Sequence, residues 1–317
     1  MRIALLGLLL IGLSATSARA QTGPGLLLKP WPTDQTVEST TDGYFLNAAH
    51  GDTGSNLQLS EYESEGRLRI EPGNLVSPRI GYDFTLLQTT SKSGAIPKDL
   101  SDESVAIGTT VGQYHGWVAG LTLGLGYAGD TAFERGSAWY GKATLGIGKE
   151  INDHDILGIV LDYDGNRPYF PDIPLPGVVY RHKVDDNILL ALGLPYSSIE
   201  WHPTDRLKVE ASYTLVSQFA ARVDYEVVKH VSLYGSFANV QDAFHVADLG
   251  SNRRLLFSQQ RIETGVEFSA NDHLMLRVAA GYAFDNRFQR GFDFDNPDKL
   301  VNFGDAPYAH AALELRF

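Results

Sequence analysis

The residues best suited to nucleophilic chemistry lie together near the middle of the chain. Ser197 and Ser198 precede His202, and Asp205 follows it. A serine nucleophile needs a base in contact with its hydroxyl and a third group that orients the base. His202 instead falls in a short polar segment, HPTD, of the kind that forms turns. Three other histidines fall in comparable segments: His154, His230 and His273. We therefore predict no catalytic residues and no enzymatic activity.

Two short acidic segments could attract a cation. They are DYDGN, at residues 162–166, and DFDNPD, at residues 293–298. Neither continues into the loop and distant glutamate that define an EF-hand calcium site. We predict that both are solvated loops, and that the protein has no metal site and no cofactor. A divalent cation held between acidic outer loops and anionic lipid head groups is the open alternative.

In several other segments, charged residues occupy alternate positions and the positions between them are apolar. We call each set of alternate positions a parity. Both signs of charge are mixed along the charged parity. If Asn271 to His273 form a three-residue turn, Glu267 lies opposite Arg277 as a cross-strand ion pair. We predict that these charges line an enclosed lumen. The predicted set is Arg79, Asp83, Lys142, Asp162, Lys208, Glu210, Arg222, Asp224, Glu226, Arg261, Glu263, Glu267, Arg277, Glu314 and Arg316.

The clearest alternating segment is WVAGLTLGLGYAG. One face carries apolar side chains between Trp117 and Tyr127, and the other carries glycine and other small residues. Only a β-strand has a period of two residues. A tilted strand crosses a bilayer in about 9 to 11 residues, and aromatic side chains are typical of both membrane interfaces. The aromatics that we predict at the interfaces are Trp117, Tyr127, Trp139, Tyr213, Tyr225, Tyr282 and Phe317.

A soluble sandwich or barrel would alternate too, but with its apolar face turned inward. Its polar face would meet bulk water and could carry long charged side chains freely. Here the charged parity is rich in Gly, Ala, Ser and Thr, which suits a crowded interior. We therefore predict an all-β fold, a transmembrane antiparallel up-and-down β-barrel with apolar side chains toward lipid and charges toward the lumen.

Turn lengths predict the number of strands. Short polar turns alternate with longer connections, as they do between the periplasmic and outer rims of a bacterial barrel. The count gives about 12 strands in a barrel spanning residues 75–317, within a range of about 10 to 14. Residues 21–74 alternate less clearly, so a periplasmic arm, a plug and a first hairpin stay open. The proline-rich loop at residues 165–177 either narrows the mouth or caps the barrel.

The start of the chain predicts export. Arg2 precedes an apolar run, and Ala18, Arg19 and Ala20 fit the cleavage pattern of a signal peptide, which we assign to residues 1–20. Without Arg2 and Arg19 the chain keeps 24 basic residues against 38 acidic ones, a formal charge of −14. This balance disfavours nucleic acid as a partner. The chain has no cysteine, so its stability must come from backbone pairing and burial.

The last residues, AHAALELRF, alternate in the same way and end on Phe317. This end resembles the C-terminal signal that the barrel-assembly machinery recognises in outer-membrane proteins, although Tyr308 takes the inward parity where the signal prefers an outward aromatic. The stretch VVYRHKVDDNILLALGLPYSSIEWHP, residues 178–203, resembles a family of bacterial outer-membrane barrels known only as a domain of unknown function. The resemblance implies a porin-like barrel in the outer membrane of a Gram-negative cell, with the bilayer and lipopolysaccharide as partners. It implies no activity and no functional residues.

The mixed interior charges favour a narrow channel for passive diffusion of small hydrophilic solutes, without strong ionic preference. Two alternatives stay open. One is a non-conducting structural or adhesion barrel of the cell envelope, whose lumen is filled by salt bridges. The other is an outer-membrane enzyme that modifies lipids.

Overall fold

In a computed structural model, the chain forms an antiparallel β-sheet that closes on itself. The structure describes residues 35–52, 56–74, 76–90, 96–214, 218–250 and 252–317. The predicted signal peptide, residues 1–20, lies outside the described residues. Among the residues that are described, no helix is long and apolar enough to cross a membrane.

Seventeen strands and one short 3₁₀ helix, Gly136–Ala138, run through the described residues. The alternating segments pair side by side because a closed ladder satisfies every backbone N–H and C=O group without water. The strands are β1 Val37–His50, β2 Asn56–Arg69, β3 Arg79–Thr89, β4 Asp99–Tyr114, β5 Trp117–Gly129, β6 Trp139–Glu150, β7 Asp155–Asp164, β8 Leu175–Lys183, β9 Ile188–Leu194, β10 Tyr196–Thr204, β11 Leu207–Thr214, β12 Gln218–Val228, β13 Val231–Phe244, β14 Arg254–Asn271, β15 Leu274–Gly291, β16 Asp298–Phe303 and β17 Ala306–Arg316.

The sheet closes between its first and last strands. β1 pairs with β17, from Glu38 opposite Arg316 to Leu46 opposite Tyr308. β16 pairs with the far end of β15, beyond the part of β15 that pairs with β17, and its residue Phe303 forms an isolated bridge with Gly51. The wall therefore contains sixteen strands within the described residues, and β16 lies outside that ladder. The predicted fold class, an all-β antiparallel barrel, is confirmed.

The two rims of the barrel differ in their connections. Two to four residues join β4 to β5, β6 to β7, β8 to β9, β10 to β11, β12 to β13 and β14 to β15, and we call this end the short-turn rim. The opposite end, the loop rim, carries longer connections at residues 90–98, 130–138, 165–174 and 245–253, while residues 70–78 form a longer connection between β2 and β3 at the short-turn rim. Both ends of the barrel sequence meet at the short-turn rim, where the Phe317 N–H donates to the Val37 carbonyl at 2.8 Å.

The predicted count of about 12 strands is wrong, and one missing pair is the hairpin β1–β2. The sequence left three interpretations open for residues 21–74. In the structure, residues 37–69 form the first hairpin of the wall. The outward parity of β2 holds Ser60, Ser64 and Gly66, so it lacks the continuous apolar strip that marks the other strands. The alternation was therefore hidden by a polar outer face.

The second missing pair lies between residues 165 and 204. A count based on turn composition treats residues 165–187 as one long connection, followed by one strand. The structure has β8 inside that connection, and it divides the following strand into β9 and β10 at Pro195. No polar turn residues mark this division, because Leu194 and Tyr196 flank the proline. Turn composition alone could not reveal the hairpin.

Apolar side chains cover the outside of the barrel. Leu123 and Leu125 of β5 are about half exposed, and Val278 of β15 is 65% exposed. Side chains of the other parity contact one another across the interior. Arg261 of β14 pairs with Glu61 of β2, although three strands separate them in the wall. The charged parity therefore faces inward.

Apolar side chains also pack inside the barrel near the loop rim. Leu57, Leu59, Leu100, Phe257 and Phe288 have 2% exposure or less and belong to one continuous cluster. We call it the loop-rim cluster. It joins β2 and β4 to β14 and β15, which lie on different sides of the interior. This packing narrows the interior at its outer end.

Near the junction of β9 and β10, a glycine in β9 lets β8 pack closely against it. A Cβ atom on Gly193 would lie 2.2 Å from the Val178 carbonyl oxygen, far inside van der Waals contact. The backbones of β8 and β9 therefore fit together only when residue 193 has no side chain.

We expect Gly193→Ala to lower the free energy of unfolding by about 1–3 kcal/mol, because the new methyl group forces β8 and β9 apart. Urea unfolding of the refolded protein in detergent micelles measures this difference. The matched control is Gly112→Ala, where an added Cβ would meet no atom within 4 Å. Equal stability of the two variants would contradict the close approach.

Candidate functional site in the barrel interior

The charges predicted for the lumen lie on the inward parity of their strands, at different depths of burial. Lys142, Glu210, Arg222, Arg261 and Arg277 are buried. The half-buried members are Arg79, Asp83, Asp162, Lys208, Asp224, Glu226, Glu263, Glu267 and Glu314. Arg316 is exposed at the short-turn rim. The interior is therefore charged over most of its length below the loop-rim cluster.

An ion-pair network joins β12, β14 and β15 on the inner wall. Glu267 lies opposite Arg277, as the sequence predicted, with Arg277 Nη2 3.1 Å from Glu267 Oε2. Arg222 Nη2 lies 2.7 Å from the same oxygen, and its Nε donates to Asp224 at 2.8 Å. A single carboxylate thus compensates two guanidiniums, which locks three strands in register.

Tyrosine rings support two of the interior guanidiniums. The Arg222 guanidinium lies 4.2 Å from the centre of the Tyr234 ring, and the Arg261 guanidinium lies 4.2 Å from the centre of the Tyr44 ring. Cation–π contact of this kind strengthens when water is excluded. Arg261 also forms an ion pair with Glu61 of β2, which is completely buried. The two arginines are therefore held in fixed positions.

A buried imidazole links β1, β14 and β17. His310 Nε2 lies 2.9 Å from Asp42 Oδ1, and its Nδ1 lies 3.1 Å from Glu263 Oε2. Tyr308 and Tyr234 donate to Glu263 at 2.9 Å and 3.0 Å. This arrangement stabilises the closing seam of the barrel, because β1 and β17 contribute groups to the same network.

A cavity opens beside these networks. Its lining includes Tyr44, Glu63, Arg222, Arg261, Glu263 and Arg277. Aromatic faces, guanidiniums and carboxylates all border the same space. The cavity lies just below the loop-rim cluster, since Tyr44 belongs to both. Its lining offers a polar solute both hydrogen-bond donors and acceptors.

A second polar cluster lies on the opposite wall, on β4, β6 and β7. Lys142 Nζ lies 3.6 Å from Asp164 Oδ2 and donates to Ser104 at 3.3 Å. Thr144 donates to Asp162 at 2.7 Å. The buried residues of this wall are therefore hydrogen-bonded to their neighbours rather than directed at open space.

The proline-rich loop after β7 is tied across the mouth. Asn166 donates to Asp102 and to the Ala243 carbonyl, both at 2.9 Å. Arg254 donates to Asn166 Oδ1 at 3.0 Å and to the Phe292 carbonyl at 2.8 Å. These contacts connect β4, β13 and β14 through one loop. The loop therefore folds over the loop rim and narrows the mouth.

Opposite walls of the barrel touch at the same level. The His245 N–H donates to the Ala128 carbonyl at 3.0 Å, which joins the end of β13 to the end of β5. Burial, reinforced by the Arg254 charge, lowers the pKa of His245. A neutral imidazole at neutral pH suits this enclosed position.

The aromatics predicted for the membrane interfaces all take the outward parity. Trp117, Tyr225 and Phe317 lie toward the short-turn rim, and the Phe317 ring stacks on His273 at 5.4 Å. The others lie toward the loop rim: Tyr127, Trp139, Tyr213 and Tyr282. Tyr127 has no exposed surface, because the rings of Phe133 and Trp139 cover it.

The serine and histidine considered for catalysis bond elsewhere. Ser197 donates to the Gly193 carbonyl at 3.0 Å, and His202 Nε2 lies 2.9 Å from Glu200 Oε1. Along the described ranges, no group of three or more His, Cys, Asp or Glu side chains could hold a metal ion. The absence of catalysis, of a metal and of a cofactor stays a prediction.

Sequence reasoning missed the functional groups of the first hairpin. β1 and β2 direct Glu38, Asp42, Glu61, Glu63 and Glu65 inward, together with two arginines. Arg67 donates to Glu38 at 2.6 Å. The available signal was the run of five alternate charged positions from Glu61 to Arg69, which has the period of a strand.

Sequence comparison finds no relative of this chain, and structural comparison finds distant similarities to outer-membrane proteins. The sequence matches no protein-family model and no curated protein. The toluene transporter TodX of Pseudomonas putida aligns with 9% identity over 96% of this chain and 94% of its own, at a TM-score of 0.43. A bacterial polysaccharide outer-membrane secretin aligns with 12% identity over 90% and 99%, at 0.43. A FadL homologue of Pseudomonas aeruginosa aligns with 12% identity over 95% and 93%, at 0.35.

Proposed function

We propose that this chain is an outer-membrane channel that passes small hydrophilic solutes by diffusion. The short-turn rim then faces the periplasm, since bacterial barrels carry their short turns on that side. The exterior offers lipid an apolar surface, and the interior offers solutes carboxylates, guanidiniums and tyrosine hydroxyls. The bilayer and lipopolysaccharide are the partners that such an exterior requires.

The cavity beside Arg222 and Glu263 carries this proposal. The interior charges are paired with one another, and Glu63, Arg222, Arg261 and Glu263 also border a cavity among the described residues. The half-buried Asp224 and Glu226 continue the charged lining toward the short-turn rim. A polar solute could therefore exchange its hydration shell for these groups.

Planar-bilayer recording of the refolded protein tests the proposal. We expect small, stepwise unitary currents, because the loop-rim cluster narrows the outer end. Glu267→Ala and Arg277→Ala should change the current, because Arg277 borders the cavity and Glu267 is its ion-pair partner. The absence of unitary current in the wild type and in both variants would remove the channel proposal.

The second candidate is a non-conducting barrel with a structural or adhesive role in the envelope. The loop-rim cluster favours it, because Leu57, Leu59 and Phe257 are packed with 2% exposure or less. A packed apolar closure excludes water and ions. The same recording separates the two candidates, since the second requires an intact barrel that carries no current.

We also propose that Phe317 is read by the barrel-assembly machinery. Its ring is 56% exposed, while its backbone groups bond Val37 and Thr36 across the closing seam. We expect Phe317→Ala to reduce the fraction of protein assembled in the outer membrane strongly, and to leave refolding in detergent almost unchanged. Heat-modifiable mobility on gels measures both fractions.

The control for this prediction is Phe268→Ala, which removes another outward ring that is 45% exposed near the same rim. It should assemble like the wild type in cells. Equal losses in both variants would mean that any exposed aromatic at this rim supports insertion, and that the terminal residue is not specifically recognised.

A further inference from the structure

We propose that the lumen selects cations over anions, and that the hairpin β1–β2 supplies much of this selectivity. The inference rests on the proposed channel function and names the class of solute that the channel favours. It departs from the sequence-based expectation of no strong ionic preference, because that expectation did not include the first hairpin.

The first observation is the charge of the hairpin itself. Its inward parity carries five carboxylates against two guanidiniums, Arg67 and Arg69, in the described residues. Two of these carboxylates contact other strands: Asp42 pairs with His310 of β17, and Glu61 pairs with Arg261 of β14. The carboxylates therefore lie along the lumen from the short-turn rim to the level of the cavity.

The second observation is the balance of charge around the cavity. Arg222, Arg261 and Arg277 supply the guanidiniums there, and each is paired with a carboxylate. The carboxylates in the same part of the interior outnumber them in the described residues: Asp42, Glu61, Glu63, Asp224, Glu263 and Glu267. A mobile cation near the cavity therefore meets a net negative wall.

The third observation lies across the lumen, on β10 and β11. Glu200 and Glu210 face each other directly in the ladder, which places like charges side by side. Glu210 has 4% exposure, and its Oε1 lies 2.8 Å from Lys208 Nζ. Its Oε2 accepts no hydrogen bond within the described part of the chain. With two inward carboxylates, Glu200 and Glu210, and one inward lysine, Lys208, the hairpin β10–β11 adds negative charge to the wall.

Fixed charge of one sign in an enclosed, low-dielectric passage concentrates ions of the opposite sign. Rings of Asp and Glu are the usual source of cation selectivity in channels. The excess of carboxylates along β1, β2 and the hairpin β10–β11 therefore raises the local concentration of small cations such as K⁺. Salt weakens the effect, since the screening length falls to about 3 Å at 1 M ionic strength.

The test is the reversal potential of the full-length protein in planar bilayers under a KCl gradient at low ionic strength. We expect the wild type to favour K⁺ over Cl⁻ by about threefold or more. The double variant Glu63→Gln, Glu65→Gln removes two inward charges from β2, and we expect it to lower that ratio by about half.

The matched control is Asp99→Asn with Glu103→Gln, which removes two charges from the outward parity of β4. It should keep the wild-type ratio. A conducting wild type with no K⁺ preference would overturn this inference and leave the channel proposal standing. A preference that the Glu63 and Glu65 variant retains in full would also overturn it. A protein without unitary current would overturn both proposals.

Discussion

Arg222→Ala should lower the free energy of unfolding by about 3–5 kcal/mol, the cost of leaving a buried charge pair without one partner. The Arg222 side chain is 6% exposed and compensates both Asp224 and Glu267. Among the described residues, the substitution leaves Asp224 without an ion pair and Glu267 with Arg277 alone. Equilibrium urea unfolding of the refolded barrel in lipid vesicles measures the loss.

The control for this prediction is Arg253→Ala at the loop rim. Arg253 pairs with Asp298, but the two side chains are 47% and 75% exposed. An exposed pair contributes about 0–1 kcal/mol, so this variant should unfold almost like the wild type. Similar losses in Arg222→Ala and Arg253→Ala would contradict the buried network.

Phe257→Ala combined with Leu59→Ala should raise unitary conductance by about twofold or more, because the two side chains close the interior near the loop rim. Both belong to the loop-rim cluster and have 2% exposure or less. Their removal opens space between β2 and β14. Planar-bilayer recording at fixed voltage and salt measures the change.

The control for the wider mouth is Leu123→Ala combined with Ile262→Ala. These side chains are about half exposed on the outside of the barrel. The double variant removes similar apolar volume without touching the interior, so its conductance should equal that of the wild type. Unchanged conductance in the Phe257 and Leu59 variant would mean that the path for ions avoids the loop-rim cluster.

The alternation of residue types predicted the fold class because one face of each strand meets a different solvent from the other. Trp117 to Tyr127 show the pattern fully, and the structure gives this segment the predicted exposed apolar parity. The pairing of Glu267 with Arg277 was also predictable, because a tight turn fixes the register of its two strands. Local rules were sufficient for these features.

The strand number was not predictable from the same rules. The outer face of β2 is interrupted by polar residues such as Ser64, so the alternation of apolar and polar residues is not visible in the sequence. The Ser64 hydroxyl lies 3.2 Å from that of Tyr82 on the neighbouring strand β3. β9 and β10 meet at Pro195 without a polar turn. A strand count that depends on continuous apolar faces and polar turns therefore misses two pairs of strands.

The composition of the interior site was only half predictable. Parity identified Arg261 and Glu263 as inward residues, but not their partners. Glu61 is 200 residues away from Arg261 in sequence, and Asp42 reaches Glu263 only through His310. Such contacts depend on which strands face each other across the barrel. Which strands face each other is determined by how the whole sheet closes, and no local sequence pattern specifies it.

The central claim is that the apolar parity faces lipid and the charged parity faces an enclosed lumen. Because the chain has no cysteine, single cysteines on β12 can carry spin labels without background. In vesicles, labels at Val223, Tyr225 and Val227 should collide with lipid-soluble oxygen, and a label at Glu226 should collide with a water-soluble nickel chelate. The opposite pattern, or equal access of both reagents along β12, would contradict the account.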